Sequence, residues 1–499
     1  MKNIVIVGGG TAGWITALMI QRYHPYFYIT VVESEEIGIL GAGEGTVPHF
    51  ITILDTIGIS FADIVKYAGG TVKNGIRFVN WNGDNKDYFH GFNPIKGLGI
   101  LDDIELIQHH LFNANNFDNV NLGNLCSKDQ KVPFSYKNIQ GYSASLNPIE
   151  YFQNYQNWAI HFNARELAVF LRRVAESRGI QRLEGKVIEI VSAENGKVSS
   201  LKTDNDQIIP LDFVFDCSGF ARLLIGKHFK TDWVSYSQHL PMDTAVPFFI
   251  DHDNNVEPET KAIAMKYGWI WQIPVQDRYG CGYVFDSSYI DEEQALNEAE
   301  ELFGQNLTSP KTFKFDPGTY DKTLVKNCLA IGLAQSFVEP LEATSLWISF
   351  LNLTDFLDSK GLLIDTEHLE NSFNQRCNKR NSEVLDFIFF HYLTKRSDSN
   401  FWKEFLEKNK PTISILEIIE LLKHNPLANL DKNNFLNSAY LQVGFGLEIF
   451  TDSQYQNIKQ LIDLEIINDA YKQCRFNLDN VIKSCVSHKE FLSVLKSIS

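Results

Sequence analysis

The chain lacks any apolar run long enough to cross a bilayer. The longest candidate, Leu346 to Leu357, is interrupted by Ser349, Asn352, Thr354 and Asp355. A membrane-spanning helix is therefore not expected, and neither is a membrane partner. Cysteine is scarce. The seven thiols (Cys126, Cys217, Cys281, Cys328, Cys377, Cys474, Cys485) stand singly, with no Cys-x-x-Cys and no ligand-like spacing to histidine. They read as reduced, packed thiols, and no metal site is expected. Positive charge is also short: 45 Lys and Arg face 61 Asp and Glu, giving a net charge of −16. Such a field repels a phosphate backbone, so nucleic acid is excluded as a partner. Between Met1 and the apolar run Ile4 to Val7 there is no room for a charged leader, an apolar segment and a cleavage site, so a cytoplasmic location is expected. No fixed-period repeat and no low-complexity linker appears, which favours interleaved domains over strung ones.

What is present is an ordinary globular composition, 44% hydrophobic and 21% charged, over 499 residues. At roughly 150 residues per domain that length allows two to three domains. Its 36 phenylalanines suit core packing first and aromatic pockets second. Residues 3 to 33 alternate strand (Asn3 to Val7), glycine turn (Gly8 to Gly13), helix (Trp14 to Tyr23) and strand (Tyr28 to Val32), a βαβ unit that opens a parallel sheet. Helical spacing returns at Asn163 to Gly179 with Leu167, Phe170, Leu171 and Val174 on one face, followed by strands at Lys186 to Ile190 and Phe213 to Phe215. Segments 240–250 and 268–286 alternate as a second, antiparallel-leaning sheet. Residues 83–155, rich in Asn and Gly in stretches such as Asn113 to Asn124, read as loops and short helices over a pocket. From about residue 350 apolar positions recur with helical spacing (Leu351, Leu353, Phe356, Leu357; Ile413, Leu416, Ile419, Leu422; Ile458, Leu461, Ile462). The expected architecture is α/β. A Rossmann-like nucleotide domain (1–82, 156–230 and 321–350) is interleaved with an insertion and mixed β-sheet substrate domain (83–155 and 231–320), and a helical C-terminal region (351–499) follows.

Gly8-x-Gly10-x-x-Gly13 lies between the first strand and helix, and Glu33 ends the next strand. The first two glycines permit a tight turn and close approach of backbone to a pyrophosphate, whose charge faces the helix N-terminus. Glu33 is placed to accept from adenosine ribose hydroxyls. Thr11 and Ala12 complete the turn. The motif does not separate flavin from nicotinamide; two later segments do. Phe215-Asp216-Cys217-Ser218-Gly219-Phe220 and Leu329-Ala330-Ile331-Gly332-Leu333-Ala334 resemble the second and third nucleotide-contact segments of class A flavoprotein monooxygenases. Three segments in this order argue for FAD, with Val187 also at the cofactor. Leu333 stands where those proteins usually carry Asp. No second glycine fingerprint exists for a nicotinamide cofactor, so the flavin is expected to be reduced by a separate, transient flavin reductase and supplied as FADH2.

Four further segments resemble the flavin-dependent halogenases of the tryptophan-halogenase type over residues 1 to about 350. Gly43-Glu44-Gly45-Thr46-Val47-Pro48 matches their flavin loop. Gly268-Trp269-Ile270-Trp271-Gln272-Ile273-Pro274 carries their Trp-x-Trp-x-Ile-Pro signature. Phe337-Val338-Glu339-Pro340-Leu341-Glu342-Ala343-Thr344 resembles their Phe-Val-Glu-Pro-Leu-Glu-Ser-Thr turn, and Gly70-Thr71-Val72-Lys73 occupies the place of their active-site lysine. The resemblance implies that FADH2 and oxygen oxidise a halide (chloride, bromide or iodide) to hypohalous acid at the flavin. Trp269, Trp271 and Pro274 would separate flavin from organic substrate. Lys73 would bind or covalently hold the halogen. Glu342 would stabilise the cationic intermediate and accept the ring proton. Thr344-Ser345 would offer backbone N–H groups to the halide. Ala343 and Ser345 depart from the family's Ser and Gly, and Ser345 is expected to restrict backbone angles there.

Simpler roles exist for several of these residues. Glu342 after Pro340 suits a helix N-terminus, and Trp269 and Trp271, two apart on a strand, suit a core face. The substrate implied is an electron-rich aromatic held by residues 83–155 and 430–452, with Tyr440 in a stretch that the family usually opens with Trp; another indole, a phenol and a larger natural product stand equally open, and free tryptophan is less favoured. A flavin-dependent aromatic hydroxylase and an inactive flavin-binding protein are the alternatives, and a homo-oligomer is left open.

Overall fold

The computed structural model describes residues 1–499 apart from 39–42, 93–120, 136–157, 253–254, 426–427, 429, 431–433, 436, 451–463 and 498–499. Most of the 83–155 insertion, including the start of Asn113 to Asn124, and the set Ile458, Leu461 and Ile462 lie outside the described residues.

The continuous apolar run Ile4, Val5, Ile6 and Val7 places Asn3–Val7 inside a six-stranded sheet, where it pairs in parallel with Tyr28–Glu33 and Phe213–Asp216. Gln181–Glu184 extends one side, and Cys328–Ala330 with Leu324–Val325 the other. Strands covered on both faces need near-continuous apolar sequence, and all four apolar residues of the first strand are buried. The first helix, Thr11–Tyr23, starts inside the glycine turn, earlier than the expected Trp14, so Gly10 becomes its N-cap. Ala164–Ser177 packs beside it. Asn163 caps that helix by accepting from the N–H groups of Arg165 and Glu166, and Gly179 leaves it at φ 86°.

The second sheet has seven strands in the order Phe313–Lys314, Thr244–Ile250, Tyr279–Phe285, Gly268–Pro274, Thr260–Met265, Gly75–Val79, Asp87–Gly91. It is antiparallel except where Thr260–Met265 runs parallel to Gly75–Val79. Asp87–Gly91 is thus a paired strand in a segment expected to be loops and short helices, because Tyr88 and Phe89 both find buried positions on the sheet's edge.

A small third sheet joins the two. Glu44–Gly45 and Thr71–Lys73 flank Ala159–Phe162, with Thr71 opposite His161 and Lys73 opposite Ala159. The chain passes from Lys73 through Asn74 directly into Gly75–Val79, so Lys73 stands where the sheets meet.

Beyond residue 344 the described chain is mostly helical: Thr344–Asp358, Glu367–His391, Asn400–Lys408, Ile413–His424, Asn437–Gly446, Leu464–Ser484 and His488–Ser497. A short strand, Cys485–Ser487, departs from the helical expectation by pairing with Lys131–Ser135. In Ile413–His424 the buried face is Ile415, Ile418, Ile419 and Leu422, whereas Ile413 and Leu416 are exposed, so the expected register is shifted. Among the described residues six cysteines are free thiols, five of them buried. No described helix is long and apolar enough to cross a membrane.

Candidate active site

A cavity of about 1050 Å³ runs from the glycine turn of the first sheet to the tryptophan strand of the second. Its cradle follows from the absence of side chains. Gly8 sits at φ 118°, and a Cβ there would lie 2.2 Å from the Cys217 carbonyl oxygen. At Gly13 a Cβ would lie 1.9 Å from the Gly8 oxygen. Gly10 differs: a Cβ there meets nothing within 4 Å, because it faces the open cavity at the start of Thr11–Tyr23. The buried Thr11 hydroxyl beside it has no hydrogen-bond partner among the described residues. Free N–H groups, a helix N-terminus and an open approach suit a pyrophosphate. Glu33 lies over Gly9 and is held by the Arg182 Nε at 2.5 Å.

Ala12, Glu44, Gly45, Val187, Gly219, Gly332 and Leu333 line this cavity together with Gly8, Gly10, Thr11 and Glu33. Gly332 takes φ 72°, and its N–H donates to the Ser349 hydroxyl at 3.0 Å. Three expected cofactor residues do not line it. Gly13 is used up in packing against Gly8. The Thr46 hydroxyl is buried and donates to the Ile160 carbonyl at 2.9 Å, and Val47 follows it off the cavity wall.

Trp269 and Trp271 form part of the far wall, their rings at 64° and 6.4 Å between centroids. Trp269 is fixed by an indole N–H donated to Glu339 at 2.7 Å, and the Tyr392 hydroxyl donates to the same carboxylate oxygen. Burial pushes Glu339 up to about 7 against the pull of those two donors. Trp271 has room only because residue 282 is glycine, where a Cβ would sit 2.1 Å from its ring. Pro274 does not line the cavity; its carbonyl accepts from the Thr71 hydroxyl at 2.6 Å.

Lys73 lines the cavity, fully buried, and its Nζ has no hydrogen-bond partner among the described residues. Desolvation lowers its ammonium from 10.5 to about 7, partly opposed by the charge of Glu342. Phe92 lies under the Nζ at 5.2 Å.

Glu342 is outside the cavity wall and caps no helix. One of its carboxylate oxygens accepts from the His90 Nδ1 and the His391 Nε2, each at 2.9 Å. Burial alone would raise this carboxyl, but the two histidines outweigh it and hold it at about 2. These three ligand atoms lie within 4.8 Å of one another, a donor set that a divalent cation could use, although hydrogen bonds already account for the cluster. The Nδ1 of His391 donates to the Phe387 carbonyl at 2.7 Å.

The turn after Glu342 differs from expectation. Ala343, not Ser345, takes the left-handed conformation, at φ 54°, while Ser345 lies in the first turn of Thr344–Asp358. Thr344 borders a second, far smaller cavity that Ser345 shares with the main one, and its buried hydroxyl is unpartnered among the described residues.

A Rossmann-type cradle opens onto a tryptophan wall and a desolvated lysine, an arrangement suited to a dinucleotide-dependent enzyme, and similarity gives the class. The tryptophan halogenase family matches residues 3–463. Tryptophan 7-halogenase RebH of Lentzea aerocolonigenes is 31% identical over 435 residues, covering 81% of this chain and 78% of that protein. The solved structure of Xcc4156, a flavin-dependent halogenase from Xanthomonas campestris, superposes with a TM-score of 0.87 at 27% identity, covering 99% of this chain and 98% of that one. BrvH, a flavin-dependent halogenase from Brevundimonas sp. BAL3, superposes at 0.86 and 28%, covering 99% of each. The chain belongs to the tryptophan halogenase family and is an enzyme of the flavin-dependent halogenase class.

His90, His391, Tyr392, His161 and Thr260 are not singled out by the sequence, and Glu339 stands out there only as part of its turn. His90 and Thr260 sit on strands whose pairing brings them to the site, but no local motif marks them.

Proposed function

We propose that the chain takes FADH2 from a separate reductase and, with oxygen and a halide, halogenates an electron-rich aromatic of the indole or phenol class, tryptophan included. The observation that carries this reading is the buried Lys73 Nζ, without a hydrogen-bond partner among the described residues, at the junction of the flavin-sized cavity and the Glu342 cluster. When bound, reduced FAD with dioxygen supplies the oxidising equivalent that turns halide into hypohalous acid. Gly8, Gly10, Thr11, Ala12 and Glu33 would hold the adenosine diphosphate half, with Gly13 and Thr46-Val47 shaping the cradle from behind. Glu44, Gly45, Val187, Gly219, Gly332 and Leu333 would line the remainder.

Thr344 and Ser345 offer a helix N-terminus to the halide. The Trp269 and Trp271 wall keeps the organic substrate from the cofactor and so disfavours direct oxygen transfer to it. Lys73, titrating near neutrality, offers either an ammonium that donates to the oxygen of the acid or an amine that takes the halogen. Glu342, held ionised by two histidines, stabilises the positive charge that develops on the ring and accepts the departing proton.

The test is mass spectrometry of products from the purified chain with FAD, a flavin reductase, oxygen and bromide against a panel of indoles and phenols. A bromine isotope pair that disappears in Lys73→Ala is the expected result. Products that gain only oxygen would make the chain a hydroxylase, and peroxide with no product across the panel would mean that the substrate lies outside the indole and phenol class or that the chemistry is lost.

A further inference from the structure

Thr71, Lys73, His161 and Thr260 come from three neighbouring strands and are all buried. Their hydrogen bonds can be assigned a direction. The Thr71 hydroxyl lies 2.6 Å from the Pro274 carbonyl, which can only accept, so its single proton is spent there. The same oxygen is 3.0 Å from one ring nitrogen of His161 and must accept from it, so that nitrogen carries a hydrogen. The other ring nitrogen is 2.9 Å from the Thr260 hydroxyl. Burial, then the neighbouring Lys73 charge, hold this imidazole far below its ordinary value, so the ring is neutral and its second nitrogen accepts. Thr260 therefore donates to His161, His161 to Thr71, and Thr71 to Pro274.

The direction matters for Thr260. With its proton turned towards His161, its oxygen is left as an acceptor towards the cavity that it lines. Gly45 supplies the space: a Cβ there would lie 3.3 Å from the Lys73 Nζ and 3.3 Å from the Thr260 Oγ1, so both atoms border one gap that the missing side chain leaves open.

We infer that Thr260 is a further catalytic residue, which accepts the O–H of hypohalous acid while the Lys73 Nζ engages its halogen over Gly45. The inference rests on the proposed function. In the transfer to lysine, an N–halogen bond forms as the O–halogen bond breaks, and the amine proton goes to the departing hydroxide as water; no further oxidant or reductant is needed. A lone pair at Thr260 favours the neutral acid and repels the hypohalite anion, and it retains the acid beside the amine instead of releasing it.

The test uses the full chain with FAD, reductase, oxygen, bromide and an aromatic that the wild type brominates. Brominated product and escaped hypobromous acid, caught by a soluble β-diketone, are both measured per oxygen consumed. Thr260→Val, with thermal unfolding checked, is expected to lower the ratio of product to escaped acid about tenfold, the worth of one ordinary hydrogen bond. Thr260→Ser is expected to restore it. Nitrogen NMR of His161 gives a readout independent of turnover: its hydrogen should sit on the nitrogen facing Thr71. An unchanged ratio in Thr260→Val, with Lys73→Ala still inactive, overturns this inference alone, as does a hydrogen on the nitrogen facing Thr260. A wild type that brominates nothing overturns the proposed function and this inference with it.

Discussion

The three glycines of the fingerprint do different work, and single substitutions should separate it. Gly10 has φ −77° and an open Cβ direction, so Gly10→Ala should leave the apo protein as stable as wild type. It should still weaken FAD binding, because the new methyl projects where phosphate approaches. Gly8→Ala, at φ 118° and against the Cys217 carbonyl, should cost the apo protein on the order of 2 kcal/mol or more. Calorimetry with and without FAD checks both. Lys73 carries a second residue-scale prediction. Its folded value is depressed, so the unfolded chain binds more protons between about 7 and 10.5, and native stability rises with pH across that window. Lys73→Met removes the buried cation, and it should stabilise the fold by roughly 5 kcal/mol near pH 6 and by much less as the pH approaches 10. Equal gains at both ends would mean that the amine is not desolvated. Lys73 and Glu342 were expected from motifs flanking them, whereas His161 and Thr260 were not. Their meaning lies in which hydroxyl gives its proton to which nitrogen, and that is decided only by strands far apart in sequence coming into register.

Among the elements, the tryptophan strand and the turn before Thr344–Asp358 depend on single neighbours. Gly282→Ala on the adjoining strand would drive a methyl into the Trp271 ring, and should cost about 2 kcal/mol by overpacking. It should also tilt the cavity wall, so product should shift towards oxygenated species by mass spectrometry. At the turn, Ala343 bears a left-handed backbone that glycine tolerates better. Ala343→Gly should raise stability by up to about 1 kcal/mol, and Ser345→Gly, inside the helix, should lower it by a similar amount or less. Combining Ala343→Ser with Ser345→Gly, which brings in the family's residue types, also tests whether this turn sets halide preference; unchanged bromide-to-chloride ratios would remove that idea. Element identity was readable wherever an apolar run or a helical period was sustained, as in Asn3–Val7 and Ala164–Ser177 respectively. Asp87–Gly91 was not, because a five-residue edge strand among Asn and Gly shows too little alternation to announce a partner that lies in another segment.

On the scale of the whole molecule, charge and site oppose each other. The chain carries a net −16, yet Arg165, Arg172, Lys186, Lys311 and Lys73 line a cavity whose acids are Glu33, Glu35 and Glu44. A dianionic pyrophosphate would therefore meet repulsion at long range and attraction at the mouth. At physiological ionic strength the screening length is about 8 Å, so charges spread over the surface fade before the local cations do. Affinity for FAD should accordingly fall as salt rises from about 0.05 to 0.5 M, despite the like net charges, because the local contacts dominate once the far field is screened. Arg165→Ala combined with Lys311→Ala should flatten that slope without altering the apo melting temperature, since both side chains sit at the rim and not in the core. Titration calorimetry at several salt concentrations decides it: an affinity that climbs with salt in the wild type would mean that the net charge governs cofactor capture, and the cationic rim would then have no part in it.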